Sequence, residues 1–406
     1  MQMWKTFRSV AQFDSFERDP DARRLKKVAS VEDLRRMAKR RLPSGVFDYI
    51  DGGAEDERTL DHNSSDFARI GFKPRILRDV SNIDTSTTIF GTPAGLPIIF
   101  SPTGFTRIAH SQGELAVARA AERAGIPYSL STMSTRSIEE VASAAPTGEK
   151  WFQVYTWKDR ELVKDLVQRA HESGFGALWL TVDTAVLGRR ERDVRRGMTL
   201  PPKLGPRTIV DGALKPWWTW DFLNAEPITF ANVVGKNDED GSTAVSLADH
   251  VHRQFDQRLS WDDIDWLRSI WDGPIVLKGI QTVADAKQAV AVGVTGVGLS
   301  NHGGRQLDDA PSPISLVEPV RDEIGDSATI ICDGGVRRGS DVVKALALGA
   351  DVVAVGRPYF LALGAAGEAG VDWLIDFLRE GIERTMALTG CTSLDEIDRD
   401  LVEWRR

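Results

Sequence analysis

The sequence predicts an α/β fold of the (β/α)8 TIM barrel class, with an N-terminal helical extension and a long insert after the fourth strand. Three observations lead there. Short runs rich in Val and Ile recur eight times from Leu96 onward, and they are continuously apolar rather than alternating. Most intervals between them hold an amphipathic helix pattern. Continuous apolar runs suit strands buried on both faces, as in a parallel sheet, and their alternation with helices marks βα units. A doubly wound open sheet is the competing arrangement, and a count of eight strands favours closure into a barrel.

Residues 1–95 precede the first barrel strand and carry helix patterns near 30–41 and 44–50. The strand runs are LPIIFSPT (96–103), IPYSLST (126–132), WFQVYT (151–156), GALWLTVDT (176–184), PIVLKG (274–279), GVGLSN (296–301), TIICDGG (329–335) and VVAVGR (352–357). Helical spacing appears at 114–125, 159–174, 282–293 and 339–350, and three of these segments close on Gly, the residue that most readily ends a helix. The gap from Thr184 to Pro274 is far longer than an ordinary βα connection with its helix. The barrel is therefore expected over 96–390, including an insert over 185–273 that is a lid, a binding surface or a disordered stretch. Residues 391–406 are expected to form a C-terminal tail.

Composition narrows the function. There are 51 basic and 59 acidic residues, a net charge of −8, so no global basic field points to nucleic acid. Two cysteines, Cys332 and Cys391, are too few for a disulfide framework and fit a reducing compartment. No apolar run approaches the roughly 18 residues of a membrane span, and the N-terminal stretch lacks a signal-peptide core. A cytoplasmic protein is expected.

In barrels of this class, polar residues at the C-terminal strand ends face the active site. Here those positions are Thr103, Ser131, Gln153 with Tyr155, Thr181 with Asp183, Lys278, Ser300-Asn301-His302, Asp333, and Gly356-Arg357. Polar residues at all eight ends exceed what a packed core requires. His302 stands on a Gly-rich loop with Arg305 three residues on, so a base and an anion clamp can face one substrate. His62, His110 and His171 read as ordinary surface or core residues. The His250-x-His252 pair looks metal-like, but no carboxylate or Cys completes a site, so no metal is expected. DGGVRRGSD (333–341), followed one βα unit later by GRP (356–358), suits a phosphate at the helix N-termini after strands seven and eight. Gly334, Gly335, Gly356 and Arg357 fit that role. No GxGxxG opens a βαβ unit, which argues against nicotinamide bound in Rossmann style. A singly phosphorylated flavin, FMN, fits better, with oxidation of a 2-hydroxy acid as the reaction.

SNHGGRQLD (300–308), TVDTAVLGRRERD (181–193) and CDGGVRRGSDVVKALALGA (332–350) make the chain resemble the FMN-dependent 2-hydroxy-acid dehydrogenase and oxidase family over nearly its whole length. The resemblance implies that His302 is the active-site base and that Asp183 orients it. It implies that Arg305 and Arg190 bind the substrate carboxylate, where a planar guanidinium fork suits a bidentate contact, and that Tyr49 joins them. Tyr155 would hydrogen-bond the reacting oxygen, and Lys278 would sit at the flavin edge where negative charge develops. Pro102, Thr103, Gly104, Ser131, Gln153, Thr181 and Ser300 match flavin-contacting positions. Asp333, Gly334, Gly335, Arg337, Gly356 and Arg357 match the ribityl-phosphate end. Met133 replaces a pocket-lining Trp of plant relatives, which leaves chain-length preference open.

The insert stretch 204–233 places Trp217, Trp218 and Trp220 within four residues, flanked by Arg207 and Lys215. It resembles the insert of the bacterial respiratory L-lactate dehydrogenases, which are peripheral membrane enzymes that pass electrons to quinone. Trp and basic residues favour a membrane interface, though such a cluster packs equally well as a lid over a barrel. The expectation is oxidation of L-lactate to pyruvate with quinone as acceptor, in a homo-oligomer (a tetramer), cytoplasmic or peripheral on the inner face of the cell membrane. The rivals are an oxidase that reoxidises FMN with O2 to give hydrogen peroxide, a non-redox FMN barrel enzyme, and a flavin-binding protein without activity.

Overall fold

A computed structural model describes residues 20–155, 157–196, 205–233 and 255–405. Eight parallel strands, each paired with the next along the chain and the last with the first, close into a barrel. Three short strands precede them: β1 (Ile70–Phe72), β2 (Thr87–Ile89) and β3 (Thr92–Ala94). The barrel strands are β4 (Ile98–Thr103), β5 (Tyr128–Ser131), β6 (Lys150–Val154), β7 (Ala177–Thr181), β8 (Ile275–Ile280), β9 (Gly296–Ser300), β10 (Thr329–Asp333) and β11 (Val352–Val355). Each coincides with one of the eight expected runs, and the open-sheet alternative is gone.

The barrel interior is plugged by aromatic rings. Trp151 of β6 and Trp179 of β7 lie 5.7 Å apart, and Phe90, at the turn between β2 and β3, reaches within 5.1 Å of Trp151. Both of these indoles have a partner: Trp179 Nε1 donates to Ser129 Oγ at 3.0 Å and Trp151 Nε1 to Glu149 Oε1 at 2.9 Å. The β2–β3 hairpin thus seals the N-terminal end, and a packed interior leaves the C-terminal ends as the place for a site.

The first 95 residues are not purely helical. Helices Val31–Arg41, Ser44–Asp51 and Arg58–Ala68 match or extend the expected pattern, but β1, β2 and β3 were not anticipated. They are three residues each, too short for periodicity to reveal. The C-terminal residues are also more than a tail, since Val402–Trp404 (β12) pairs antiparallel with β1. The long helix Arg357–Thr389 bends at Ala366 and Gly367 and packs against Val31–Arg41. Ser44–Asp51, which carries Tyr49, is tied in by Asp51: Arg35 binds it at 2.5 Å and Arg192 at 3.0 Å.

Within the insert, Pro206–Ala213 and Pro216–Asn224 form two short helices. Trp218 turns inward, donating from Nε1 to the Ile108 carbonyl at 2.7 Å and stacking on Phe222. Trp217 and Trp220 turn outward, 67% and 72% exposed. Among the described residues, no helix is long and apolar enough to cross a membrane.

Candidate active site

The C-terminal strand ends surround one cavity of about 1300 Å³ of empty space, counting its open mouth. Its wall includes Pro102, Thr103, Gly104, Ser131, Met133, Tyr155, Lys278, Asp333, Gly334, Gly335, Arg337, Gly356 and Arg357, joined by Tyr49, Arg190, His302 and Arg305. Gln153, Thr181, Asp183 and Ser300 stand behind that wall. They are buried or nearly so, in contact with or in register with lining residues.

His302 follows β9 with φ of 58°, a left-handed backbone that non-glycine residues seldom adopt and that functional sites retain. Its Nδ1 lies 3.1 Å from Asp183 Oδ1. The carboxylate therefore accepts a hydrogen bond from Nδ1–H, and Nε2 is left with its lone pair. Burial lowers the His302 pKa, and Asp183, which pulls it up, does not fully offset this. A neutral imidazole at pH 7 is ready to take a proton.

Beneath it lies a buried ionic group. Lys278 Nζ meets Asp333 Oδ2 at 2.8 Å and Ser300 Oγ at 3.0 Å. Ser101 Oγ donates to Asp333 Oδ1 at 2.7 Å. Burial works against both charges, yet each holds the other: Lys278 is raised by Asp333 and Asp183, and Asp333 is lowered by Lys278. The pair stays ionised because three hydroxyl and ammonium donors satisfy one carboxylate.

The cationic side is the most telling feature. Arg190, Arg305, Arg337 and Arg357 line the cavity, and among the described residues none of the four meets a carboxylate at ion-pair distance. Arg305 donates to the Tyr49 carbonyl at 2.5 Å and lies over the Tyr49 ring. Arg357 donates to the carbonyls of Ile50, Gly52 and Gly303, and Arg337 to that of Val336. Burial, then repulsion from Arg190, pushes Arg305 down to about 10. Burial, then Arg337 and Arg305, pushes Arg357 down to about 9. Four guanidiniums without a direct ion pair around one cavity call for anionic ligands.

Asp183 also keeps Tyr155 a donor. Burial, then that carboxylate, raises the phenol well above its ordinary value, so it stays protonated. Of the nine buried side-chain polar atoms without a partner among the described residues, three belong to residues of this site: Gln153 Nε2, Asp183 Oδ2 and Arg190 Nε. Buried orphans of this kind mark where a ligand belongs.

Residues 38–404 match the model of the family described as FMN-dependent dehydrogenases. The chain belongs to that family. It is 46% identical over 398 residues to a putative L-lactate dehydrogenase of Mycobacterium tuberculosis, spanning 98% of this chain and 94% of that one. It is 46% identical over 372 residues to glycolate oxidase 3 of Arabidopsis thaliana, 92% of this chain and 95% of the relative. The crystal structure of the monotopic membrane protein (S)-mandelate dehydrogenase aligns with a TM-score of 0.89 at 39% identity, over 93% of this chain and 100% of that one. The protein is an FMN-dependent 2-hydroxy-acid oxidoreductase on a TIM barrel.

The residues present fit FMN. Gln153 Nε2, just behind the wall and bonded through its amide oxygen to lining residue Ser131, is an unmatched donor suited to a flavin carbonyl or ring nitrogen. Arg337 and Arg357 line the same cavity as the Gly334-Gly335 turn and suit a phosphate. A Cβ on Gly335 would fall 1.8 Å from the Asn63 carbonyl oxygen, and its φ of +82° also favours glycine, so backbone alone forms this wall.

Sequence reasoning missed several lining residues. Ser101 lies two positions before Thr103, on the same face of β4, and strand alternation would have found it. Phe105, Leu187, Phe230 and Phe255 add apolar wall, and no motif announces them. Phe230 comes from the insert and packs 5.6 Å from Phe105, while Phe255 lies edge-on to Tyr155 at 5.0 Å. His62 and His171 are exposed, and none of His62, His110 and His171 lines the cavity. His250 and His252 lie outside the described residues. Among the described residues no cluster of three potential metal ligands occurs.

Proposed function

We propose that this enzyme oxidises L-lactate to pyruvate and delivers the electrons to a quinone at a membrane surface. The observation that carries the oxidation chemistry is the His302–Asp183 pair facing the same cavity as Arg190 and Arg305. The lactate reading draws support from the 46% identical relative that spans 98% of the chain.

In this reading Arg305 and Arg190 grip the substrate carboxylate, with Tyr49 beside them, and so fix the α-carbon. Tyr155 donates to the reacting oxygen. His302 Nε2 takes one proton, from the hydroxyl or from the α-carbon, and Asp183 stabilises the imidazolium that forms. FMN, when bound, supplies the two-electron acceptor. Lys278 holds a positive charge beside the position where that acceptor gains negative charge, and Asp333 keeps Lys278 protonated. Pro102, Thr103, Gly104 and Ser131 would contact the flavin from the cavity wall, with Gln153, Thr181 and Ser300 reaching it from just behind. Asp333, Gly334, Gly335, Arg337, Gly356 and Arg357 would hold the ribityl-phosphate end. Met133 lines the substrate side with Leu187, Phe230 and Phe255.

The outward Trp217 and Trp220, with Ile209, Leu214 and Leu223 also exposed, form an apolar face suited to a bilayer interface. The second reading keeps the same chemistry with O2 as acceptor, as the 46% identical glycolate oxidase favours. The test is anaerobic bleaching of the yellow holoprotein by a panel of 2-hydroxy acids, then reoxidation by a soluble quinone against O2. Bleaching strongest with L-lactate and faster reoxidation by quinone support the proposal. Preference for another acid removes lactate, and rapid peroxide formation transfers the case to the oxidase.

A further inference from the structure

Gln306 follows Arg305 directly and is buried, but it does not line the cavity. Its amide is engaged wholly with the loop after β7. Nε2 donates to the Asp183 carbonyl at 2.7 Å and to the Val186 carbonyl at 3.0 Å, and Oε1 accepts from Gly188 N at 3.0 Å. Two donors and one acceptor on one side chain are what an amide offers. A carboxylate would set negative charge against two carbonyl oxygens.

The same two segments touch through bare backbone. A Cβ on Gly188 would fall 2.3 Å from the Arg305 carbonyl oxygen and 2.5 Å from that of Gln306. The loop so pinned begins at Asp183 and leads straight into Arg190. The Asp183 side chain lies against the bare backbone of Gly279, where a Cβ would fall 2.7 Å from the Asp183 Cβ; Oδ1 meets His302, and Oδ2 has no partner among the described residues. Its backbone is held on one side by Val182 N donating to the Lys278 carbonyl at 2.9 Å, and on the other by Gln306 at the Asp183 carbonyl.

We propose that Gln306 is a positioning residue that clamps 183–188 onto the His302–Arg305 loop, so that base, orienting carboxylate and both carboxylate-binding arginines share one rigid frame. This rests on the reading of His302 as base and of Arg190 with Arg305 as clamp. Losing the three bonds frees Asp183 from His302 and Arg190 from Arg305 together, though Gln306 touches none of their side chains.

The test uses FMN-loaded Gln306→Met, Gln306→Glu and Gly188→Ala beside the wild type, with anaerobic single-turnover flavin reduction by L-lactate across a pH series. FMN content should match the wild type. The rate at saturating lactate should fall by about 10²-fold, the effect of a misplacement on the order of 1 Å, and KM should rise. The acidic limb of the rate should move to lower pH, because His302 loses the carboxylate that holds its proton affinity up. Variants with lowered thermal stability but wild-type rate, KM and acidic limb would overturn the inference. Should Gln306→Met fail to fold, Gly188→Ala decides on the same readouts. Wild-type holoprotein that no 2-hydroxy acid reduces would overturn the reading of the site and the inference with it. Reduction of the wild type with kinetically unaltered variants overturns the inference alone.

Discussion

The strand ends of the barrel and the helical hairpin at 206–224 are opposite solutions to burial. At the strand ends polar and charged groups are buried: Lys278, Asp333, Ser300, Gln153 and Thr181 are all almost wholly shielded from water. On the hairpin, large apolar side chains are exposed, with Leu214 and Leu223 at 72% and 73%. Each inversion costs stability unless a partner completes it. For the strand ends, the family match supplies the partner as FMN with a 2-hydroxy acid, and the four arginines without a direct ion pair mark where its anions go. For the hairpin, the proposed partner is a membrane surface. Trp218, which faces inward, separates the two regions: one indole of the three belongs to the fold, and the other two are offered outward.

That division makes the largest expected effect fall on the strand ends. Replacing His302 by Gln should leave FMN bound and slow flavin reduction about 10²–10⁴-fold, the usual consequence of removing a general base. Reduction at the wild-type rate would remove His302 from the chemistry. Next in size, Arg305→Met or Arg190→Met should lower kcat/KM by roughly 10- to 100-fold, mainly through KM, since a charge-assisted hydrogen bond contributes about 1.5–3 kcal/mol. Lys at either position should rescue only partly, because an ammonium lacks the planar fork. Lactate kinetics unchanged in both Met variants would place the substrate carboxylate elsewhere.

A smaller effect appears in pH dependence. The base must be unprotonated to act, and burial lowers the His302 pKa from its ordinary 6.5. Activity should therefore persist below pH 6.5 and fail only as the pH drops through that lowered value. A limb in kcat/KM above 6.5 would show that Asp183 outweighs burial. The smallest effect on chemistry is expected at the hairpin. Trp217→Ser with Trp220→Ser should cut liposome association and leave lactate-driven flavin reduction intact, with stability changed by about 0.5 kcal/mol or less. Trp218→Ser should instead destabilise the hairpin, because it loses the Ile108 hydrogen bond and the Phe222 stack. Loss of flavin reduction in the double variant would make the hairpin a working part of the site and erase the contrast.

The same contrast explains what the sequence disclosed. All eight barrel strands were legible because strands buried on both faces leave unbroken apolar runs. The polar residue ending each run was legible for the same reason, as an exception within an apolar pattern. Strands β1, β2 and β3 were not, since three residues carry no period. Phe230 and Phe255 were not either: an aromatic residue in a long insert looks alike whether it faces solvent, core or pocket, and only tertiary packing brings these two to the cavity. Gln306 lay in plain view within SNHGGRQLD, but nothing local shows that its amide reaches back to Asp183.

The central claim is that the strand-end cluster oxidises an L-2-hydroxy acid held by its carboxylate. The most direct measurement mixes anaerobic FMN-loaded protein with L-lactate and, separately, with D-lactate, and follows flavin absorbance through a single turnover. A base, a donor and two arginines fix three points on the substrate, so rapid bleaching by the L enantiomer with pyruvate formed in equal amount is predicted, and the D enantiomer should leave the flavin oxidised. Equal bleaching by both enantiomers, or bleaching by neither, would contradict the account.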